Sequence, residues 1–314
     1  MNGLSAGAIL LAVAPVLLVI GAGYTCRKLA WLTAEADRSL IRLTVNFLTP
    51  CLIFSTIIGN PALRAPENLI APPLVGFATV MAGFAIGAAA SRLLPGASGA
   101  TRRAFAVGTG LYNYGYIPLP LSLAFFDSAT TGVLFLHNVG VEFALWTAGV
   151  AIFAGGRGIA WRKALNPPVF AIAAAVGLNL LHAEQWLPSV VPKAAQLAGG
   201  AAIPLGLLLT GATFADLFRP QELRGGIPVM AGAVALRGVV TPWMFLAVAV
   251  WLPLSPELKR VVVMQAAMPA AVFPIVLARH YGGDAATSMQ IVFGTTLAGL
   301  VTIPWWLQFG FGLI

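Results

Sequence analysis

Apolar stretches of about 20 residues recur along the whole chain, separated by short polar or charged joints. Each stretch is long enough to cross a hydrocarbon core of about 30 Å. The alternation predicts ten helices, over 6–27, 37–58, 69–94, 101–126, 130–155, 166–183, 190–214, 226–252, 257–281 and 286–312. None of the joints could hold a soluble domain, so functional groups must come from the helices or their ends. Two spans are poor helix material. The fourth contains GLYNYGYIPLPL at 110–121, and the ninth contains MPAAVFP at 268–274. Pro118 and Pro120, and likewise Pro269 and Pro274, remove backbone donors and clash with the preceding turn, so both spans should unwind near their middles. Backbone freed at membrane depth persists only where it is buried in protein or lines a wet cavity. The half-helix after each break offers free N–H groups and a positive dipole end to an anion. Pro15, Pro242 and Pro304 read as simple kinks.

Composition fixes the class. Of 314 residues, 59% are hydrophobic and 9% charged, against roughly 25% charged in soluble domains. The expected fold class is therefore an all-α polytopic membrane protein in a lipid bilayer. The net charge of +8 does not point to nucleic acid, because the cations sit in short joints where they set orientation. Joints after odd-numbered spans carry Arg27, Lys28, Arg38, Arg92, Arg102, Arg103, Arg157, Arg162, Lys163, Arg219, Arg224 and Arg279. Those after even-numbered spans carry only Arg64, Lys193, Lys259 and Arg260, so the former should face the cytoplasm and both termini the outside. Met1–Leu10 lacks a positive n-region and a cleavage site, so the first span is expected to be a mature helix. Cys26 and Cys51 show no metal-ligand spacing and read as small hydrophobes.

The chain also resembles itself at an offset near half its length. Arg42, Asn46 and Pro50 are matched by Gln196, Gly200 and Pro204, and RRAFAVGTGLYNYGYIP (102–118) by KRVVVMQAAMPAAVFP (259–274). FFDSATTGVLF (125–135) answers GGDAATSMQIVF (282–293), which aligns Asp127 with Asp284. Two units, 1–156 and 157–314, would each hold five spans, and an odd number inverts the second relative to the first. Matching interruptions in two such halves point to the binding site.

At these motifs the chain resembles the auxin efflux carrier family, in particular its bacterial branch. That family's fourth helix carries a pattern like N-x-G-x-x-G-x-P. Here Asn113, Gly115 and Pro120 fill it, and Pro118 replaces the second glycine. HNVGVEFALWTAGV (137–150), FLTPCLIFSTI (47–57), LRGVVTP (236–242) and MPAAVFPIVLARHYGGD (268–284) are similar to other helices of the family. The long central loop of the plant auxin exporters is missing, which weakens an assignment to auxin itself. The resemblance implies ten transmembrane helices as two inverted five-helix repeats, with broken helices 4 and 9 crossing, and a fold similar to the bile-acid symporters. It further implies a scaffold of helices 1, 2, 6 and 7, a moving domain of helices 3–5 and 8–10, a homodimer, elevator-like motion and a small organic anion such as malonate as substrate.

Substrate-binding candidates are Asn113 and Gly115 in the fourth span, with Tyr112, Tyr114, Pro118 and Pro120 around them. Tyr116 competes with the other two tyrosines for places along the cavity. The ninth span offers Gln265, Pro269 and Pro274, and the second span offers Asn46 and Thr49. Asn113 could instead cap its own helix, and Gly115 permits close backbone approach. His137, Asn138 and Glu142 share one side of the fifth span. An intramembrane carboxylate is by default functional, often in a proton relay; the plainer reading of Glu142 is a pair with Arg237, which could otherwise meet the substrate anion. No cofactor is implied, and no H-E-x-x-H, G-x-S-x-G or G-x-x-x-x-G-K-[ST] motif suggests an enzyme. The expected function is secondary transport of a carboxylate-bearing anion across a bacterial cytoplasmic membrane. Its rivals are a Na⁺-coupled symporter of the bile-acid type and a ligand-binding sensor or channel.

Overall fold

The computed structural model describes residues 6–156, 158–217 and 226–314. Arg157, Arg219 and Arg224, used above for orientation, lie outside the described residues. Every regular element among the described residues is helical, apart from one isolated bridge between Tyr112 and Ala270.

In chain order the helices are α1 (Ala6–Lys28), α2 (Ala34–Ile57), α3 (Glu67–Ser91), α4 (Gly99–Gly110), α5 (Pro118–Phe125) and α6 (Ser128–Phe153). They continue as α7 (Pro167–Leu180), α8 (Val190–Asp216), α9 (Ile227–Trp251), α10 (Pro256–Ala266), α11 (Phe273–Tyr281) and α12 (Ala285–Phe311). Seven of them, α1, α2, α3, α6, α8, α9 and α12, are long and apolar enough to cross a membrane. The chain is thus a multi-pass membrane protein, and its described residues hold fewer continuous spans than the ten helices expected. The sixth expected span is only the 14-residue α7, about 21 Å at 1.5 Å per residue. The fourth is divided between α4 and α5, and the ninth between α10 and α11.

The breaks begin earlier than the prolines suggest. Pro118 and Pro120 stand in the first turn of α5, where a missing N–H costs nothing, and the unwound residues are 111–117 before them. Pro274 likewise sits at the start of α11, whereas Pro269 does lie in the second break, 267–272. The entry to each broken pair is alike: Ser98 caps α4 by accepting from Thr101 N, and Ser255 caps α10 by accepting from Leu258 N.

Short π-helical turns interrupt α2 at Thr44–Leu48, α6 at Leu145–Gly149 and α9 at Leu236–Val240. Pro50 and Pro242 follow two of them closely, so the wider turn comes just before a residue that cannot donate. Small residues bring the long helices together. A Cβ on Gly140 of α6 would lie 1.8 Å from Pro73 O of α3, and one on Gly211 of α8 would lie 1.9 Å from Ile20 O of α1. Backbone-to-backbone approach of this kind is how helices associate where no hydrophobic effect drives them together. It fixes α6 against α3, and so sets the wall beside the first break.

Candidate functional site

The two breaks lie edge to edge. Asn113 N donates to Pro269 O at 2.8 Å, and Ala271 N donates to Leu111 O at 3.0 Å. Each interrupted helix thereby satisfies part of the other's backbone, as buried backbone groups require. Pro118 also cannot donate to Tyr114 O, the carbonyl four residues back. Asn138 Nδ2 takes that carbonyl at 2.9 Å and Gln265 Nε2 at 3.4 Å. One freed oxygen thus ties together the first break, α6 and α10.

The three tyrosines part company. Tyr112 is fully buried, its hydroxyl 3.2 Å from Thr79 Oγ1 and 3.5 Å from His137 Nε2. Tyr114 is half-buried and donates to Glu142 Oε1 at 2.6 Å. Tyr116 is 42% exposed, and its ring abuts Gly206 of α8, where a Cβ would meet Cε1 at 2.4 Å.

Asn113 is buried, and its Oδ1 accepts from Ile117 N at 3.4 Å, a marginal cap of α5. Its Nδ2 makes no hydrogen bond among the described residues. The close approach expected at Gly115 is to no part of the described protein: a Cβ there would meet nothing within 4 Å. Gln265 is fully buried, and its Oε1 has no partner among the described residues. The first break therefore has open room at Gly115 and an unused amide donor at Asn113, while the unpartnered Gln265 Oε1 is buried beside it.

His137 is buried, with Nδ1 3.4 Å from Asn138 Oδ1. Glu142 does not pair with Arg237, as the plainer reading had it. Its Oε2 accepts from Trp146 Nε1 at 2.8 Å and from Asn166 Nδ2 at 3.4 Å, so both oxygens are held by neutral donors. Arg237 instead donates through Nη2 to Met268 O and lies over the Tyr112 ring, 5.5 Å from its centroid. The prolines are placed as described above, Pro118, Pro269 and Pro274 buried and Pro120 half-buried. Asn46 is exposed and Thr49 half-buried on α2, and no hydrogen bond among the described residues links either to the breaks. Among the described residues, no group of three His, Cys, Asp or Glu could hold a metal ion.

Sequence reasoning missed Thr79, Trp146, Asn166 and Thr295. Trp146 was accessible, being four residues after Glu142 on the same helix face. Thr79, Asn166 and Thr295, whose Oγ1 accepts from Ala270 N at 3.1 Å, are set by tertiary contact alone.

The long apolar helices make this a polytopic membrane protein, and the class it falls in is that of membrane transport proteins. The particular family is the one described as "Membrane transport protein", whose model matches residues 8–159 and 156–307, and the chain belongs to it. It is 26% identical over 299 residues to an uncharacterized transporter of Methanothermobacter thermautotrophicus, covering 93% of this chain and 95% of that one. A second uncharacterized transporter, from Methanocaldococcus jannaschii, is 22% identical over 301 residues, with the same shares covered. Auxin efflux carrier component 3 of Arabidopsis thaliana is 26% identical over 156 residues, 48% of this chain and 24% of the plant protein.

Proposed function

We propose that this transport protein carries a small organic anion, recognised by a carboxylate, by alternating access. The reading rests on the joined breaks: two interrupted helices share backbone hydrogen bonds beside an open flank at Gly115. The carboxylate would sit on that flank. Asn113 Nδ2 is the donor at hand, and the first turns of α5 and α11 supply positive dipole ends. Gln265 borders the same break through Tyr114 O. Tyr114 and Tyr116 would line the path, while Tyr112 packs behind it. Glu142, His137 and Asn138 form the group to which proton coupling is assigned: Glu142 and Asn138 hold Tyr114 by side chain and backbone, and His137 lies between Asn138 and the Tyr112 hydroxyl. Asn46 and Thr49 would face the site across the scaffold only in another state of the cycle. The auxin efflux carriers among the relatives support an organic anion as the substrate class.

In this reading the halves 1–156 and 157–314 are inverted repeats, with α4–α5 and α10–α11 as crossing helices. The serine caps of α4 and α10 and the aspartate caps of α6 and α12 support it. Helices α1, α2, α7 and α8 form the dimeric scaffold against which the rest moves as an elevator. The membrane is a bacterial cytoplasmic membrane with both termini outside.

The test is a thermal-shift screen of the purified protein against mono- and dicarboxylates, with and without Na⁺, beside Asn113→Ala. A ligand that binds only the folded state raises its stability by mass action. A short carboxylate should stabilise the wild type and not the variant. Equal stabilisation of both would remove Asn113 from the site, and an absolute Na⁺ requirement would replace proton coupling with Na⁺ symport.

A further inference from the structure

The joint between α6 and α7 folds back onto the helix that carries Glu142. Gly155 and Gly156 take left-handed φ values of 63° and 84°, a turn that favours residues without a Cβ. The chain then returns so that Ala160 N donates to Trp146 O at 2.9 Å, and a short 3₁₀ turn follows over Trp161–Ala164. Beyond it, Asn166 caps α7 by accepting from Val169 N and reaches Glu142 Oε2 with its amide.

Lys163 stands in that turn. Its side chain is exposed, yet its ammonium has three partners. Nζ donates to Tyr281 OH at 3.0 Å and lies 5.4 Å from the centroid of the Trp146 ring and 5.4 Å from that of the Tyr281 ring. Each ring is within the range of a cation–π contact. Confining so flexible a side chain costs entropy, and among the described residues no carboxylate pairs with Lys163 to offset that cost. Arg162, next in the chain, turns to the Trp161 ring instead.

The two rings around Lys163 belong to different helices. Trp146 is on the π-helical turn of α6, and Tyr281 is the last residue of α11. The first residue of α11, Phe273, meets the Trp146 ring edge-on, with centroids 5.4 Å apart. The indole is thus held by both ends of α11, directly at one and through Lys163 at the other. Its polar edge faces Glu142: Nε1 donates to Oε2 at 2.8 Å, while Oε1 accepts from the Tyr114 hydroxyl. A line of contacts therefore runs from Tyr281 through Lys163, Trp146 and Glu142 to Tyr114. It joins α11, which follows the second break, to the first break by a route separate from the backbone bonds the breaks share.

We infer that Lys163 is a positioning residue for Glu142. It keeps the Trp146 indole in the orientation that puts Nε1 on Oε2, and through Tyr281 it makes that hold depend on where α11 lies. Its bearing on transport rests on the proton coupling proposed for Glu142: a shift of α11 would loosen a donor on that carboxylate.

The experiment uses the full-length protein in lipid nanodiscs, labelled with 5-fluorotryptophan and read by fluorine NMR. The Trp146 resonance is identified among the 8 tryptophans by its loss in Trp146→Phe. Removing a nearby charge moves that resonance whatever Lys163 does, so the deciding quantity is the shift that Glu142→Gln causes in each background. In the wild type, and in Lys163→Arg, which keeps a cation for both rings, that shift should exceed the linewidth. In Lys163→Met, similar in length and uncharged, most of it should be lost. Tyr281→Phe, which keeps the ring and removes only the hydroxyl, should weaken it. A response undiminished in Lys163→Met, one lost equally in Lys163→Arg, or a wild-type resonance indifferent to Glu142→Gln overturns the proposal. If Lys163→Met fails to fold, an undiminished response in Tyr281→Phe does the same. No ligand and no proton flux enter the measurement, so this inference and the transport reading can each fail alone.

Discussion

The two breaks solve one backbone problem in opposite ways. The first, 111–117, is written in polar letters, LYNYGYI, and brings its own donors and acceptors. Its tyrosines reach Thr79, His137 and Glu142, its freed carbonyl is taken by two amides, and one flank is open at Gly115. The second, 267–272, reads AMPAAV and has no polar side chain at all. Residues 267–271 are buried, and their backbone is satisfied from outside, by Thr295, Arg237 and the first break. A break that carries its own chemistry can present some of it to a ligand. A break served by its neighbours is a fixed edge against which the first is held. On the function proposed above, substrate recognition would belong to the first break and its support to the second.

The comparison can be attacked from its anchors. Gly110, the last residue of α4, backs directly onto α3: a Cβ there would meet Phe84 N at 2.6 Å and Gly83 C at 2.7 Å. These are backbone atoms that cannot swing away, so Gly110→Val should cost about 3 kcal/mol through overpacking. Size-exclusion profiles and unfolding temperatures would report it; wild-type stability would mean that the first break is not pinned by α3. Next in size, Tyr114→Phe leaves Glu142 without its 2.6 Å donor and should cost about 2 kcal/mol. A cycle with Glu142→Gln should be clearly non-additive, and additivity would show that the two side chains do not work as a unit. The corresponding cut at the second break, Thr295→Val, orphans Ala270 N and should cost about 1 kcal/mol. Its effect should fall on stability, with carboxylate affinity unchanged; a loss of affinity would put the second break in the recognition site.

Much of this was legible in the sequence, and the limits are physical. The prolines marked both interruptions because a missing donor is a local property. They misplaced the unwound residues by half a turn or more, since a proline opens a helix as readily as it breaks one. Asn113, Gly115, Tyr114 and Gln265 could be picked out because polar side chains and glycine are rare in such spans, and the structure brings them to one place. The partner of Glu142 was misjudged. Opposite charges inside a membrane suggest a pair, yet Trp146 and Tyr114 are nearer, and charge alone says nothing of distance. Nothing in the sequence of the second break announced Thr295 or the hold of Arg237 on Met268 O. Those depend on how α9 and α12 pack around residues 267–272.

The smallest effect tests the similarity that remains between the halves, at the ends of the broken helices. Asp284 caps α12 and also accepts from Thr101 Oγ1 of α4 at 2.9 Å, tying the start of one broken pair to the end of the other. Partial burial pushes its pKa up, but hydrogen bonds from Thr287 N, Thr287 Oγ1 and Thr101 Oγ1 outweigh this and hold the carboxyl below its ordinary value. A depressed folded pKa gives stability that is full above the unfolded pKa, about 3.9 for aspartate, and is lost as pH falls through the folded value. Thr101→Val removes one of the three donors and should cost about 0.5–1 kcal/mol near neutrality, the range of a single cap or charged surface hydrogen bond. Wild type and variant should converge only as pH falls below the ordinary aspartate value and through the depressed folded one, because the protonated carboxyl no longer favours the threonine. Asp284→Asn should lose stability at neutral pH and show none of that acid dependence. Unfolding temperatures of the three proteins between pH 3 and 7 decide the matter, and a constant gap between wild type and Thr101→Val across that range would show that the contact does not depend on the aspartate's charge.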